Sequence, residues 1–490
     1  MTVARCGVAD TDIPPRDDDQ AQTAPALVAR LARSLEDHGV VYCQWKGQRK
    51  HARWSAGHGD IDLLVHRGSV RPFRDTLTRL GFKPVLPGPG RGMVATESFL
   101  GYDPQAERLV HVHAHYRLMV GDYWRTAYRV PLEEPILAAT GPGPVFPVPA
   151  PELELLAFVL RMVGRYSVGQ LVAGRQPRWL PEIQAELTDL ESQADRDRLR
   201  QSLAEYLPSV EMDWFDRCLQ SLRPSAGRWG RLALRRQLTA RLAPHAVRPS
   251  ALAVLAAAND WATARIMRRR RRRPGLAEGG LVVALLGGDG AGKSTCAREL
   301  YQWLSRSLRV RWAHLGKPPR SALTLLVGGA LKACRLVGGL GGVGTQVEML
   351  RHVCTARDRY RLYVSACRTA AAGGIAICER FPIEQNRILA GPCLDLAPYA
   401  GYGGGLAAAM RRLEARYYRR IVEPELVLVL RLDPEVAVRR KTTEPADYVR
   451  ARARVIWETD WAATRARVVD AGRPLPLVVA DLKHLIWETV

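Results

Sequence analysis

The C-terminal half of the chain alternates short apolar runs with longer stretches of helical spacing. The runs have the length of single strands and are rich in Val, Ile and Leu; they lie at residues 281–287, 310–315, 375–378, 426–432 and 468–469. Strands separated by helices join as a parallel sheet, and such sheets bind ligands at the carboxyl ends of their strands. The pattern therefore predicts an α/β fold whose chemistry lies at the strand ends.

The middle of the chain has the helical period throughout. Apolar residues recur there at helical spacing in three sets: Leu153, Leu156, Leu160 and Val163; Ile183, Leu187 and Leu190; Leu199, Leu203 and Leu207. A repeated apolar face of this kind packs against other helices. We therefore predict an all-helical module without the spacing of a reactive site.

Breaks in composition divide the chain into blocks. Pro and Gly cluster at 141–151, and six consecutive Arg at 268–273 lead into a Pro- and Gly-rich stretch. Like charges in series resist packing, which favours a solvated linker over a nucleic-acid contact. The acidic, Pro-containing start favours a disordered tail over a signal peptide. The predicted division is a tail at 1–25, an N-terminal domain at 26–149, the helical module at 150–265, an Arg-rich linker at 266–280 and the α/β domain at 281–490.

The composition indicates a large chain with a strongly positive net charge. A chain of 490 residues, 47% of them hydrophobic, is larger than one hydrophobic core usually serves, so two or three domains are expected. A net charge of +23 favours anionic partners such as nucleotides, nucleic acid or acidic membrane surfaces. Only eight of the 72 basic residues are Lys, so codon bias is a competing source of the charge. Nine scattered Cys without a Cys-x-x-Cys pair argue against disulfides and structural zinc, and favour a reducing cytoplasm.

The most apolar window, residues 321–345, contains Lys332, Arg335 and many Gly. Charges at its centre make a membrane-spanning helix costly, so we interpret the window as a helix followed by a loop. Its Leu-rich first half leaves a peripheral membrane contact as the alternative.

The most specific motif follows the strand at 281–287. It reads Gly-x-x-x-x-Gly-Lys-Ser over residues 287–294, and a helix-compatible run comes after it. In this order the loop amides and the helix start face one phosphate group, Lys293 neutralises its charge and Ser294 holds Mg²⁺. The motif predicts binding of ATP with Mg²⁺. We expect the nucleotide contacts from Gly287, Gly288, Asp289, Gly290, Ala291, Gly292, Lys293, Ser294 and Thr295.

Two further strand ends carry candidate chemistry. Glu379 can bind Mg²⁺ or orient an acceptor oxygen, and the adjacent Arg380 can hold an acceptor phosphate through two hydrogen bonds. An exposed ion pair is the alternative interpretation. After the strand at 426–432 come Arg439, Arg440 and Lys441, which are candidates for the mobile cations that phosphoryl transfer needs. A solvated basic helix face is the alternative for these three.

Together these motifs resemble thymidylate kinase over most of residues 280–490. The resemblance rests on the motif at 285–295, on 379–381, on 432–435 with its Arg-rich successor and on 469–472. It implies a P-loop kinase that transfers the γ-phosphoryl group of ATP to a nucleoside monophosphate, dTMP in that family. The substrate-binding residues that it implies are Asp289 near the acceptor sugar, Arg380 on the acceptor phosphate, Phe381 beside it, and Arg359 or alternatively Arg357 as a further phosphate ligand.

The chain departs from that family at two places. Glu379 stands where the family has Asp, and residues 382–386 replace its thymine-contacting stretch. The resemblance therefore predicts the class of reaction and leaves the acceptor open.

The N-terminal block carries a different candidate site. Asp60 and Asp62 alternate along a short apolar strand, so both carboxylates share one face, as two metal ligands for nucleotidyl transfer would. With Lys46 and Gly47 upstream, residues 40–120 resemble the nucleotidyltransferase superfamily, which implies an α+β domain with a third acid on a neighbouring strand. This chain has His113 at that place, between His111 and His115.

Imidazole ligates transition metals and suits Mg²⁺ poorly. Active nucleotidyl transfer, a binding domain without activity and a transition-metal site are therefore the three interpretations of this block.

Three functions follow from these observations. The leading hypothesis is a nucleoside monophosphate kinase. The second is nucleotidyl transfer at Asp60 and Asp62, with the C-terminal domain as a nucleotide sensor. The third is a non-enzymatic basic scaffold that binds nucleic acid or membrane through the Arg run. Nucleotides are the expected partners, a homodimer is compatible with the sequence, and the case for nucleic acid is not strong.

Overall fold

The computed structural model describes residues 25–47, 59–88, 95–120, 127–247, 255, 273–336, 341–383, 394 and 404–490. Over these residues the chain is mixed α/β, with parallel and antiparallel strand pairs. The predicted tail at 1–25 and the Arg run at 268–273 lie almost wholly outside the described residues. Residues 384–386, part of the stretch that departs from the thymidylate kinases, also lie outside them.

The N-terminal block is built around one sheet. Its first elements are α1 (Ala26–Asp37), β1 (Tyr42–Lys46), β2 (Asp60–Val65), a 3-10 turn (Arg67–Ser69), α2 (Val70–Arg79), β3 (Lys83–Leu86), β4 (Thr96–Asp103) and β5 (Arg108–His115). β2 and β5 are parallel and the other neighbours antiparallel, in the order β1-β2-β5-β4-β3. Ile61, Leu63 and Val112 enter the core under α1 and α2, so the alternate residues of β2 and β5 face the other way.

The next elements lead from this sheet into the helices. They are β6 (Met119–Val120), β7 (Ala127–Arg129), α3 (Glu133–Ala138), β8 (Thr140–Gly141), β9 (Val148–Pro149), α4 (Pro151–Gly164), α5 (Val168–Val172), a 3-10 turn (Pro181–Ile183), α6 (Gln184–Gln193), α7 (Arg196–Tyr206), α8 (Met212–Ser221), α9 (Arg228–Arg241), a 3-10 turn (Ala243–His245) and β10 (Ala246–Val247).

The helical module shares its core with the N-terminal sheet. The predicted face of Leu156 and Leu160 is fully buried, and one apolar cluster joins it to Trp45 and Leu64 of the sheet. β10 returns to pair with β7. The predicted boundary at 149/150 therefore marks a change of secondary structure and not a break in the core.

The described end of the predicted linker at 266–280 differs from a solvated segment. Here β11 (Gly275–Leu276) pairs antiparallel with β3 and becomes an edge strand of the N-terminal sheet. Leu276 is buried in a cluster that also contains Leu281 of the next domain. Backbone pairing and apolar burial outweigh solvation at these two residues, because Leu276 fills the space between the two sheets.

The C-terminal block is the predicted parallel α/β structure. Its elements are β12 (Leu281–Gly287), α10 (Lys293–Ser305), β13 (Val310–His314), α11 (Ala322–Leu336), α12 (Gly341–Ala371), β14 (Ile375–Glu379), α13 (Gly405–Tyr418), β15 (Leu426–Arg431), α14 (Pro434–Arg440), α15 (Ala446–Glu458), β16 (Arg467–Asp470) and α16 (Leu475–Thr489). The strand order is β13-β14-β12-β15-β16, and every neighbouring pair is parallel. The predicted parallel strands are confirmed, and all their carboxyl ends meet at one edge.

Side chains of α10 and α16 pack against the N-terminal sheet. Tyr102 meets the ring of Trp303 edge to face at 5.2 Å, and Lys483 pairs with Glu107 at 2.6 Å. In the part of the chain that the structure describes, no helix is both long enough and apolar enough to cross a lipid bilayer.

Candidate functional site

The glycine loop, residues 287–295, leaves the central strand β12 and enters α10. Gly290 has φ of 84° and Gly292 has φ of 81°, a left-handed backbone that other residues adopt only with strain. Among the described residues, the amides of Gly290, Gly292 and Lys293 meet no hydrogen-bond acceptor. A helix start with unsatisfied N–H groups is an anion-binding arrangement.

Helices α14 and α15 lie directly against this loop. A Cβ atom added at Gly290 would lie 2.7 Å from the carbonyl oxygen of Ala437 on α14. A Cβ added at Gly288 would lie 2.8 Å from the Cα of Ala453 on α15. Close packing therefore requires Gly at both positions, and at Gly290 the left-handed backbone requires it as well.

Asp289 lies at the centre of a cluster of cations. Its carboxylate accepts hydrogen bonds from Arg380 at 2.5 Å and from Arg452 at 2.6 Å, and Lys293 Nζ is 4.0 Å away. The Asp289 side chain is 9% exposed. Burial acts to raise the pKa of Asp289, but the charges of Arg380, Lys293 and Arg452 outweigh it and lower the pKa below its usual value.

Lys293 is buried at the start of α10. Its ammonium group donates a 2.6 Å hydrogen bond to the carbonyl oxygen of Gly288 within the loop. Burial, assisted by the charge of Arg380, lowers the pKa of Lys293 to about 8. A phosphate group beside this buried ammonium would stabilise its charged form.

Glu379 lies at the end of β14, next to the loop. The Ser294 hydroxyl donates to its Oε2 at 2.7 Å, and the Trp312 indole N–H donates to its Oε1 at 2.7 Å. Its side chain is buried. The hydroxyl and the carboxylate are oxygen donors close together, which is the donor type that Mg²⁺ prefers.

The chain turns sharply after Glu379, and the turn separates two neighbouring side chains. Arg380 has φ of 52°, a left-handed backbone uncommon outside Gly, and its guanidinium reaches Asp289. Phe381 is fully buried in the core and packs edge to face on Tyr363 at 5.9 Å. Of the two residues, the structure brings only Arg380 to the loop.

The other predicted cations make different contacts. Arg359 is buried on α12, where it donates to the carbonyl oxygen of Leu315 at 2.7 Å and contacts the Tyr418 hydroxyl. Arg440 donates to the carbonyl oxygen of Ala471 at 2.9 Å, and Arg439 is exposed at the end of α14.

Sequence reasoning missed Arg452 and Trp312. Arg452 lies in a charged segment from which we named only Arg439, Arg440 and Lys441 as candidates, and it is 163 residues from Asp289 in sequence. Trp312 lies on β13, an edge strand adjacent to β14. No local spacing links either residue to the glycine loop, and the position of Trp312 beside β14 follows from a strand order that the sequence did not predict.

The residues of this site fit the ATP phosphates and the Mg²⁺ that the sequence implied. Unsatisfied amides, a left-handed loop and a buried Lys293 suit a phosphate chain. Ser294 and Glu379 suit Mg²⁺ because both offer oxygen.

The N-terminal carboxylates form a second cluster on the open face of β2 and β5. His111 Nδ1 is 2.7 Å from Asp60, and His115 Nε2 is 3.0 Å from Asp62. His113 Nδ1 lies 3.5 Å from Asp62 and 3.9 Å from Asp60. The parallel register places Asp60 opposite His111 and Asp62 opposite His113. The structure thus brings all five predicted residues together.

Comparison with known proteins gives a similarity over part of the chain. No protein-family profile matches the chain. Part of the chain is 25% identical over 217 residues to the thymidylate kinase of Symbiobacterium thermophilum. The aligned region covers 42% of this chain and 93% of that protein. A kinase-like region is therefore present, and more than half of the chain lies outside the match.

Proposed function

We propose that the chain is an ATP-dependent kinase that transfers the γ-phosphoryl group to a nucleoside monophosphate, with dTMP as the first acceptor to test. The observation that carries the proposal is the convergence of Lys293, Arg380 and Arg452 on Asp289 beside a glycine loop. The similarity to a thymidylate kinase supports the same class of reaction.

The proposed roles follow from position. The loop amides and Lys293 bind the β- and γ-phosphates of ATP, and Ser294 with Glu379 holds Mg²⁺. Bound Mg²⁺ neutralises charge on the phosphates during transfer. Arg380 binds the acceptor phosphate, and Arg452 adds positive charge on the side of the loop that α15 covers.

Asp289 has a defined part in this scheme. Its carboxylate is the anion that Arg380 and Arg452 share, so it holds both guanidinium groups beside the loop. Groups that are already oriented lose less entropy when the substrate binds.

The test is a product assay on purified full-length protein. ATP, Mg²⁺ and one of dTMP, dUMP, UMP, CMP, AMP or GMP are incubated with the protein, and nucleoside diphosphates are separated by chromatography. We expect ATP consumption that depends on one or a few monophosphates. Lys293→Ala should abolish it, because the variant removes the positive charge from the loop.

Lys332→Ala is the matched control, since Lys332 is exposed on α11. Its turnover should equal that of the wild type. A wild type that consumes ATP equally with and without every monophosphate would refute the kinase proposal. Activity with another monophosphate but none with dTMP would refute only the choice of acceptor.

A further inference from the structure

The N-terminal cluster does not fit the metal that its resemblance implies. Nucleotidyl transfer uses Mg²⁺ held by carboxylate oxygens. Here His113 lies opposite Asp62 in the sheet, and imidazole nitrogens approach both carboxylates. A donor set rich in nitrogen favours the later divalent transition metals over Mg²⁺.

Two overlapping groups of three ligands are present among the described residues. One contains Asp60, His111 and His113, and the other contains Asp62, His113 and His115; in each group the ligand atoms lie within 4.8 Å of one another. Because His113 belongs to both groups, one ion that uses it excludes a second.

The group around Asp62 is already occupied by protein contacts. Lys46 Nζ lies 3.0 Å from Asp62 Oδ1, and a cation beside this ammonium group would be repelled. His115 Nε2 faces the same oxygen at 3.0 Å, while its Nδ1 lies 3.4 Å from the Thr96 hydroxyl. Both nitrogens of His115 therefore have partners.

The group around Asp60 has its ligands available. His111 meets Asp60 through Nδ1, and its Nε2 is buried without a hydrogen-bond partner in the described part of the chain. Metal–ligand bonds of about 2.0–2.2 Å let two atoms up to about 4 Å apart share an ion. The separations of 2.7 Å and 3.9 Å from Asp60 to His111 and His113 fall within that limit.

We propose that Asp60, His111 and His113 bind one divalent transition-metal ion of the Zn²⁺ type. Two imidazoles and one carboxylate leave further coordination positions, as in catalytic zinc sites. His111 and His113 also line a cavity of about 640 Å³, together with Arg74, Lys83 and Glu97. A small ligand in that cavity can reach the open positions of the ion. Asp62, held by Lys46, takes no part in coordination and supports the neighbouring strand.

The experiment measures Zn²⁺ binding on the full-length chain without a polyhistidine tag. Protein freed of metal with a chelator is titrated with ZnCl₂ by calorimetry in excess Mg²⁺, and bound zinc is counted by elemental analysis after gel filtration. We expect about one Zn²⁺ per chain. His113→Ala should remove it and Asp60→Asn should weaken it about tenfold or more. Asp62→Asn should leave the affinity within a few fold.

His38→Ala is the matched control, because His38 is an exposed histidine of the same block and contacts Arg79 outside the cluster. It should bind zinc like the wild type, and circular dichroism should show that every variant is folded. Co²⁺ should give visible ligand-field bands without the charge-transfer band of thiolate ligands, which excludes the cysteines.

Three results would overturn the proposal. They are zinc binding that survives His113→Ala, zinc that millimolar Mg²⁺ displaces, and a stronger loss with Asp62→Asn than with Asp60→Asn. None of these readouts depends on kinase activity, so the proposal stands or fails separately from the function of the glycine loop.

Discussion

The contact between Arg452 and Asp289 gives the sharpest prediction, because the same helix offers its own control. Arg452 Nε lies 2.6 Å from Asp289, and the two side chains are 14% and 9% exposed. Arg450, two residues earlier on α15, makes an equally short contact to Glu435, but that carboxylate is 58% exposed. The two pairs match in chemistry and distance and differ in burial.

Arg452→Ala should destabilise the C-terminal domain by about 2 kcal/mol. Breaking one partner from a buried ion pair costs about 3–5 kcal/mol, and here Asp289 retains Arg380, which reduces the cost. In a domain of this size such a loss lowers the midpoint of thermal unfolding by about 4–8 °C. Arg450→Ala should leave the midpoint unchanged within replicate scatter, since solvent screens the exposed pair.

The assay is scanning calorimetry of full-length protein, in which the C-terminal transition is identified by its shift when ATP is added. In the Asp289→Asn background, Arg452→Ala should cost much less free energy of unfolding than in the wild type, because the ion pair is already broken. A fall with Arg450→Ala as large as that with Arg452→Ala would refute the reasoning from burial. An Arg452→Ala cost that is the same in the Asp289→Asn background would show that the ion pair is not its source.

Three further predictions concern the loop and its metal ligands. Gly292→Ala should lower the free energy of unfolding by the cost of a left-handed Ala, about 1–2 kcal/mol. Gly290→Ala should lower it further, because the added Cβ also meets the Ala437 carbonyl. Equal midpoints of thermal unfolding for the two variants would contradict the close contact with α14. ATP affinity, measured by calorimetry, should fall as pH rises through about 8, because Lys293 loses its charge there. The contribution of Lys293 to the free energy of unfolding should instead rise between pH of about 8 and 10.5, because the unfolded chain binds more protons than the folded chain in that range. Lys293→Arg should bind ATP independently of pH over that range, and a pH dependence like that of the wild type would refute the assignment to Lys293. Glu379→Gln should raise the Mg²⁺ concentration for half-maximal activity about tenfold or more, since the amide can still accept from Trp312 and donate to the Ser294 hydroxyl but loses the negative charge and one metal-binding oxygen. An unchanged Mg²⁺ requirement would remove Glu379 from the metal site.

Local pattern was sufficient for much of the fold. The strands at 281–287, 375–379 and 426–431, the glycine loop between strand and helix, and the helical faces of Leu156 and Leu160 follow from periodicity and from the conformational freedom of Gly. Each of these depends on residues within a few positions of one another. The alternation of Asp60 with Asp62, and of the three histidines, likewise placed each set on one face of its strand.

Tertiary structure decided how distant segments meet. Arg452 reaches Asp289 across 163 residues, and Trp312 reaches Glu379 across 67. Phe381 follows Arg380 directly but enters the core, because the left-handed turn at Arg380 sends the two side chains in different directions. Leu276 joins the N-terminal sheet although the sequence around it reads as linker. Periodicity reports only which face of an element is apolar, whereas the partner of that face is selected by packing and charge summed over the whole chain.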